Sequence, residues 1–145
     1  MATRPYTHSL ERLRTAGLRP TRQRLALVRL LFERGDRHVT AEQLHAEALA
    51  NGVRISLATI YNSLHQFTSA GLLREVVVDP ARRYFDTNVS AHHHFFHEDD
   101  GALHDIAGDR IALAGLPDAP RGTEIDRVDV VVRLRSARSA RPASG

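Results

Sequence analysis

Apolar residues change their spacing after Gly71, and this change constrains the fold of the chain more than any other feature. Before Gly71 they recur every three or four residues, as on the buried face of an amphipathic helix. After Gly71 they alternate with polar residues, as in a strand that buries one face. We therefore predict an α+β protein in which the helices come first.

Capping residues and glycines mark the ends of four predicted helices. Thr21 and Ser56 are suited to cap the second and fourth helices, and Thr40 with Gln43 forms a capping box that opens the third. A glycine follows the end of each helix, where a left-handed residue is needed. The predicted helices run from about residue 9 to 16, 20 to 32, 40 to 51 and 56 to 70.

Two short strands are predicted directly after the fourth helix, at residues 73–78 and 83–87. The four residues between them, Asp79-Pro80-Ala81-Arg82, have the composition of a tight turn. Three helices followed by such a two-stranded wing form a winged helix-turn-helix, to which the first helix is an N-terminal addition. We assign this domain to residues 1–87.

Residues 88–135 are predicted to form a second, smaller domain of α/β type. Strands are expected at 92–97 and 102–107, joined by a two-residue turn at Asp100-Gly101. A short helix at 109–116 and a last strand at 124–135, with alternating valines, complete it. Residues 136–145 are rich in Arg, Ser, Ala and Pro and are predicted to be a disordered tail.

The chain contains no cysteine, so disulfides and thiolate zinc sites are both excluded. Any bound metal must use nitrogen and oxygen ligands. No stretch approaches the ~20 apolar residues that span a bilayer, and the N-terminus lacks the apolar segment of a signal peptide. We expect a cytoplasmic protein that does not interact with membranes.

All twenty basic residues are arginines, and they are unevenly distributed. Residues 1–83 carry thirteen arginines against seven acidic residues, whereas residues 84–145 carry seven against ten. A basic part joined to an acidic part indicates that the first faces a polyanion such as DNA. The alternative is an arginine-biased composition with a solvated surface.

The outward face of the fourth helix suits the edges of bases in the major groove of DNA. Asn62 can pair with adenine, and Ala58 and the ring of Tyr61 can contact thymine methyl groups. Arginines at the first turn, the helix entrance and the wing would contact phosphates. The alternative is that Tyr61 is a partly buried aromatic residue and the arginines are only solvated. The predicted contacts to double-stranded DNA are Arg19, Arg22, Arg54, Ala58, Thr59, Tyr61, Asn62, His65, Arg82 and Arg83.

Five of the nine histidines lie between His92 and His104. His92 and His94 are two residues apart on a strand and share a face. With Asp100-Gly101 as the centre of the turn, Asp105 falls opposite Phe96 on that same face. The predicted metal-binding face therefore holds two imidazoles and one carboxylate.

The same register places His97 opposite His104 on the other face, near His93. These three histidines are predicted as ligands of haem or of a second metal ion, with Phe95 as an apolar wall. The alternative is a pair of surface histidines without a ligand, and a one-residue slip in register would destroy the pairing.

Several segments, taken in order, resemble the ferric uptake regulator superfamily. They are Gly17-Leu18-Arg19-Pro20-Thr21-Arg22-Gln23-Arg24, then His38-Val39-Thr40-Ala41-Glu42, then Ser56-Leu57-Ala58-Thr59-Ile60-Tyr61-Asn62-Ser63-Leu64, and finally the histidine run. The resemblance covers about residues 10–135. Within the superfamily, the segments around Tyr61-Asn62, Phe85-Asp86-Thr87-Asn88 and the histidine run are most similar to the iron response regulators of alphaproteobacteria.

This resemblance implies a repressor or activator that binds an operator as a dimer or a dimer of dimers. It would adjust the expression of haem-synthesis and iron-using genes to the supply of iron and haem. The resemblance also implies a regulatory site made of His38, Asp86, His92, His94 and Asp105, with Fe(II) or Mn(II) bound, or Zn(II). Haem is a further expected ligand. Because His38 belongs to the first domain and His92 to the second, metal binding would fix the angle between the domains.

Two departures from the superfamily affect what the resemblance implies. The paired Cys-X-X-Cys motifs that often hold a structural zinc are absent, and His97 and Asp100 stand at the first pair. The Cys-Pro haem motif of some iron response regulators is absent too, so haem would have to use histidine.

Two other functions compete with this interpretation. Peroxide-sensing repressors of the superfamily also use Asp at both carboxylate positions, here Asp86 and Asp105. A metalloenzyme that uses the histidines as a non-haem iron site would need a substrate pocket and open coordination positions, and nothing in the sequence indicates a pocket. We therefore expect a regulator and not an enzyme.

Overall fold

The computed structural model of the protein describes residues 6–137, which contain four α-helices, six β-strands and one turn of 3-10 helix. Two compact units are present, with the boundary between Val89 and Ser90. The first unit holds all four helices and a three-stranded sheet, and the second holds another three-stranded sheet. The predicted α+β fold is confirmed. Within residues 6–137, no helix is both long enough and apolar enough to span a membrane.

The four predicted helices are confirmed, with ends that differ by a few residues. They are α1 (Thr7–Thr15), α2 (Arg22–Phe32), α3 (Ala41–Ala50) and α4 (Leu57–Ser69). The start of α2 shows why: Thr21 is extended and its Oγ1 accepts a hydrogen bond from the amide of Arg24 at 3.2 Å. Since a capping residue lies outside the helix, α2 begins one residue after Thr21.

The capping box predicted for α3 is present. Oγ1 of Thr40 accepts from the Gln43 amide at 3.1 Å, and Oε1 of Gln43 accepts from the Thr40 amide at 2.9 Å. At the other end of the domain, Gly71 closes α4 with a φ of 83°, a conformation that glycine adopts without steric cost. These capping interactions define where α3 begins and where α4 ends.

The core of the first unit is formed by one face of each helix and by the sheet. The buried apolar side chains come from all four helices and from all three strands, and the largest are Phe67, Phe85, Leu13, Leu27, Leu31, Leu44, Ile60 and Leu64. Burial of one such side chain contributes roughly 1.5 to 3 kcal/mol. The opposite face of α4 is left exposed at Ala58, Asn62 and His65.

The sheet of the first unit consists of β1 (His38–Val39), β2 (Arg74–Asp79) and β3 (Arg82–Asp86), in the order β1-β3-β2. The predicted hairpin β2-β3 is confirmed, with a bulge between Val77 and Asp79. The strand β1 was not predicted, because two residues are too few to show an alternating pattern. It pairs antiparallel with β3 and brings the segment between α2 and α3 beside Asp86.

The sheet of the second unit has β4 (His92–His97) at its centre, antiparallel to β5 (Leu103–Ala107) and parallel to β6 (Val131–Leu134). Among the described residues of this unit, Phe96 is the apolar side chain that is fully buried. Several large apolar side chains of this unit remain exposed, namely Phe95, Leu113, Leu116 and Ile125.

Two predicted elements of the second unit are wrong. The helix expected at 109–116 is only a 3-10 turn at Gly108–Arg110. Leu113 and Leu116 are exposed and Gly115 has a φ of 77°, so the segment lacks the buried face that stabilises a short helix. The strand expected at 124–135 is limited to Val131–Leu134, where β4 offers a hydrogen-bonding partner. Of the predicted disordered tail at 136–145, all but residues 136 and 137 lie outside the described residues.

Candidate metal centre

In the first unit, His38 and Asp86 lie directly opposite each other on β1 and β3. Nε2 of His38 is 3.1 Å from Oδ2 of Asp86, and the Asp86 side chain is completely buried. The other carboxylate oxygen, Oδ1, accepts a hydrogen bond from the amide of Asn88 at 2.9 Å. The pair thus presents one imidazole and one oriented carboxylate from a rigid sheet.

Arg37 precedes His38 and Thr87 follows Asp86, and these two residues are also hydrogen-bonded to each other. Oγ1 of Thr87 accepts from the Arg37 amide at 2.8 Å, and the Thr87 amide donates to the Arg37 carbonyl at 3.1 Å. The Arg37 guanidinium donates to both carboxylate oxygens of Glu47, at 2.8 and 3.0 Å. These contacts fix β1 against β3 and against α3, and therefore fix His38 against Asp86. Neither residue was found by sequence reasoning.

Arg74 lies opposite Asp86 on the other neighbouring strand, β2. Residues directly opposite in antiparallel strands point to the same face, so His38, Asp86 and Arg74 form a row across the sheet. Arg74 is 6% exposed. The row therefore places a buried arginine directly opposite the buried Asp86 on the neighbouring strand.

In the second unit, His92 and His94 share one face of β4, and Asp105 lies opposite His94 on β5. The two imidazole rings have centroids 4.5 Å apart and are almost fully buried, whereas Asp105 is partly exposed. Nε2 of His92 and Nε2 of His94 are each 3.5 Å from the same oxygen, Oδ1 of Asp105. Three donor atoms therefore converge.

The spacing of these atoms is close to that of ligands that share one metal ion. A distance of 3.5 Å is long for a hydrogen bond. Two ligands bound at about 2.1 Å to one ion are separated by roughly 3.0 to 3.4 Å. Moreover, Nδ1 of His92 lies 2.6 Å from the carbonyl oxygen of Ser90, so Nδ1–H donates there and, in the neutral imidazole, Nε2 carries the lone pair. Such an outer hydrogen bond is typical of a metal-binding histidine.

The register of β4 and β5 differs from the predicted one by two residues. Asp105 is opposite His94 instead of Phe96, and His104 is opposite Phe95 instead of His97. The cause is the connection, which is a four-residue loop at 98–101 and not a two-residue turn. Gly101 has a φ of 73°, and its amide donates to the His97 carbonyl at 2.8 Å. Because the shift is an even number of residues, Asp105 still shares the face of His92 and His94.

The three remaining histidines of the cluster do not share one environment. Nδ1 of His93 accepts a hydrogen bond from the amide of Val130 at 3.1 Å, and this holds β6 against β4. The lone pair of that nitrogen is therefore already used. His97 and His104 have ring centroids 5.0 Å apart on the same face of the sheet.

The predicted DNA-contacting residues of α4 are not all exposed in the same way. Ala58, Asn62 and His65 are exposed, whereas Tyr61 is half-buried. The Tyr61 hydroxyl donates to Oε1 of Glu42 on α3 at 2.6 Å. This hydrogen bond lowers the pKa of Glu42 and raises the pKa of Tyr61. The Tyr61 ring is thereby positioned at the edge of the helix, which is a constraint that the sequence did not reveal.

The remaining predicted DNA contacts are polar groups around α4. The Thr59 hydroxyl accepts from Oγ of Ser56 at 2.9 Å. In the wing, Arg82 pairs with Asp79 and Arg83 pairs with Glu75 at 3.0 Å. Such partly exposed surface pairs are worth about 0 to 1 kcal/mol, so phosphate contacts could replace them. Exposed arginines also lie before α2 at Arg19, at the first residue of α2 at Arg22, and before α4 at Arg54.

Comparison with known proteins assigns the chain to a class of regulators. The model of the ferric uptake regulator family matches residues 15–130. The chain belongs to the ferric uptake regulator family.

Solved structures of this family share the fold. The ferric uptake regulator of Pseudomonas aeruginosa, solved with manganese, has a TM-score of 0.67 at 25% identity, covering 90% of this chain and 98% of that one. The ferric uptake regulator of Vibrio cholerae has a TM-score of 0.67 at 21% identity, covering 87% and 98%. Because the V. cholerae protein is only 21% identical, its similarity shows the fold alone.

A curated relative is the peroxide-responsive repressor PerR of Staphylococcus aureus, 35% identical over 98 residues. The match covers 68% of this chain. It spans 66% of the length of that relative, just under two thirds.

Proposed function

We propose that this protein is a metal-responsive transcriptional regulator that binds an operator as a homodimer. The observation that carries the proposal is the convergence of His92, His94 and Asp105 donor atoms, in a chain whose other unit is a winged helix-turn-helix. Membership of the ferric uptake regulator family supports the same function. A cytoplasmic location is part of this proposal.

We further propose that His38 and Asp86 bind the same ion as His92, His94 and Asp105. The resulting shell of three imidazoles and two carboxylates suits Fe(II) or Mn(II), and also Zn(II). A bound divalent ion would supply positive charge that offsets the two carboxylates. Each donor is already oriented by its own strand, so little side-chain entropy would be lost on binding. Five protein ligands leave at most one octahedral position open, which favours a regulatory site over an enzymatic one.

A shared ion would link the two units, because His38 and Asp86 belong to the first and the other donors to the second. The state of the protein that can satisfy all five donors gains free energy from the ion, and other states do not. In a two-fold dimer, the separation of the two copies of α4 must match successive major grooves, ~34 Å apart. Ligation would thereby change operator affinity.

The structure of α4 and of the second unit supports DNA binding and dimerisation. Ala58, Asn62 and His65 form an exposed stripe on α4 that suits base edges. The exposed apolar side chains of the second unit, Leu113, Leu116 and Ile125 among them, suit burial against a second copy of the chain. Assembly as a dimer of dimers would use further surface of the same kind.

For the physiological signal, we propose iron and haem supply, as in the iron response regulators that the sequence resembles. Haem would have to bind through histidine. The second candidate is peroxide sensing, which is favoured by the 35% identity to the peroxide-responsive repressor of S. aureus and by Asp86 and Asp105 at both carboxylate positions. Mass spectrometry after treatment with Fe(II) and peroxide distinguishes them: addition of one oxygen atom to His38 or His92 would favour peroxide sensing.

The shared site is tested by Mn(II) binding to the full chain, followed by electron paramagnetic resonance of the free ion. We expect one Mn(II) per protomer in the wild type, and loss of that same ion in both His38→Ala and His92→Ala. His8→Ala, an exposed histidine on α1, is the matched control and should bind normally. Retention of Mn(II) affinity in His38→Ala would show that the first unit does not contribute a ligand.

A further inference from the structure

His97 and His104 lie on the face of the β4-β5 hairpin opposite to His92 and His94. His104 is directly opposite Phe95, which places it diagonally from His97. The two rings are 5.0 Å apart between centroids and meet edge to face at 78°. They are a second imidazole pair on the same hairpin, and neither residue belongs to the five proposed ligands of the regulatory site.

The separation of the rings allows both imidazoles to bind one metal ion. Two imidazoles that bind an ion at about 2.0 to 2.1 Å, with a tetrahedral angle between them, have centroids roughly 5 Å apart. The pair matches this distance before any ion is added. His97 is half-buried and His104 is exposed, so solvent and ions can approach both rings.

Both imidazoles are free to bind through nitrogen. Within residues 6–137, no hydrogen bond engages the ring of His97 or of His104, whereas Nδ1 of His93 is held by the Val130 amide. His93 is therefore not a member of this pair, although His93, His97 and His104 were predicted together as ligands of haem or of a second metal ion.

The loop that joins the strands places the carboxylate of Asp99 near His97. Its residues include Glu98, Asp99 and Asp100. The pKa of Asp99 is lowered chiefly by hydrogen bonds from the side chain and amide of Ser136, and in smaller part by the nearby His97. Ionised carboxylates near the imidazoles raise the local concentration of divalent cations.

We infer that His97 and His104 form a second metal site, separate from the regulatory site, for a borderline transition-metal ion that prefers imidazole, represented by Zn(II). Two protein ligands on an accessible surface leave the other positions to water. The site is therefore an exchangeable one, and it binds more weakly than the site with five donors.

The test is equilibrium dialysis of the full chain against Zn(II), with bound metal measured by atomic absorption. We expect two Zn(II) per protomer in the wild type and one in His97→Ala or His104→Ala. Each substitution should weaken the second site by at least about tenfold, the lower limit for loss of even an outer-shell partner. The double variant His92→Ala with His94→Ala should keep the His97 and His104 site, which separates failure of this inference from failure of the proposed regulatory site.

His8→Ala is the control for loss of an exposed histidine elsewhere and should keep both ions. Unchanged stoichiometry and affinity in His97→Ala and His104→Ala would overturn the inference. A haem titration provides a second contrary outcome: a Soret shift that disappears in His97→Ala, with Zn(II) binding unchanged, would replace the metal ion by haem. Circular dichroism of each variant checks that the fold is retained.

Discussion

Thr87→Val removes a hydroxyl group that holds the strand of His38 against the strand of Asp86. Oγ1 of Thr87 accepts from the Arg37 amide at 2.8 Å, and its weaker donation to the Arg37 carbonyl spans 3.3 Å. Valine keeps the β-branched shape, and the backbone bond from Thr87 to Arg37 remains. The main effect is therefore that the half-buried amide of Arg37 loses its hydrogen-bond acceptor, which costs about 1 to 3 kcal/mol. We expect the free energy of unfolding to fall by about 1 to 2 kcal/mol, at the lower end of that range because Arg37 is only half-buried.

The assay is urea denaturation of the metal-free protein, followed by circular dichroism, together with Mn(II) affinity. Because Thr87 and Arg37 adjoin the ligands Asp86 and His38, we expect Mn(II) affinity to fall by about tenfold, as for an outer-shell partner. Thr15→Val makes the same change at an exposed position at the end of α1 and should alter stability by less than about 0.5 kcal/mol. If Thr87→Val behaves like this control in both measurements, the positioning role assigned to Thr87 is wrong.

Three further predictions concern local contacts. In Glu42→Gln, the pKa of the Tyr61 phenol should move down toward its ordinary value, because the carboxylate that accepts its hydrogen bond is gone. Tyrosinate absorbance measures this, with Tyr61→Phe to identify the signal. Thr40→Ala should destabilise the protein by about 1 kcal/mol through loss of the α3 cap, measured by denaturation, and no change would mean that the capping box contributes nothing. Gly101→Ala should cost about 1 to 2 kcal/mol, since φ is 73° there, and equal stability would show that the loop relaxes to another conformation.

The helices were predictable because their signals are local. Thr21, Thr40 and Ser56 each cap the helix that the apolar spacing indicated, and Gly71 ends α4 where the spacing changes. The segment 109–116 has similar local signals but no buried face, so tertiary packing and not propensity decided its structure.

The partners of the candidate ligands depended on registers that the sequence could not define. A regular hairpin from the pair Asp79 and Arg82 would place Glu75 opposite Asp86. The bulge between Val77 and Asp79 shifts the pairing by one residue and places Arg74 there instead. In β4-β5 the predicted turn was too short, but the error of two residues preserved the face of Asp105. An error of one residue would have removed it from the site.

Operator affinity measured with and without metal tests the central claim most directly. An operator can be selected from random DNA sequences with the Mn(II)-loaded protein, and affinity then measured at fixed salt for the metal-free, Mn(II)-loaded and haem-loaded forms, because phosphate contacts make affinity salt-dependent. We predict that Mn(II) changes the affinity of the wild type by about five- to 150-fold, the usual range of such coupling, and that this change disappears in His38→Ala with His92→Ala. Equal affinity of the wild type with and without metal, or an undiminished effect in the double variant, would contradict the account.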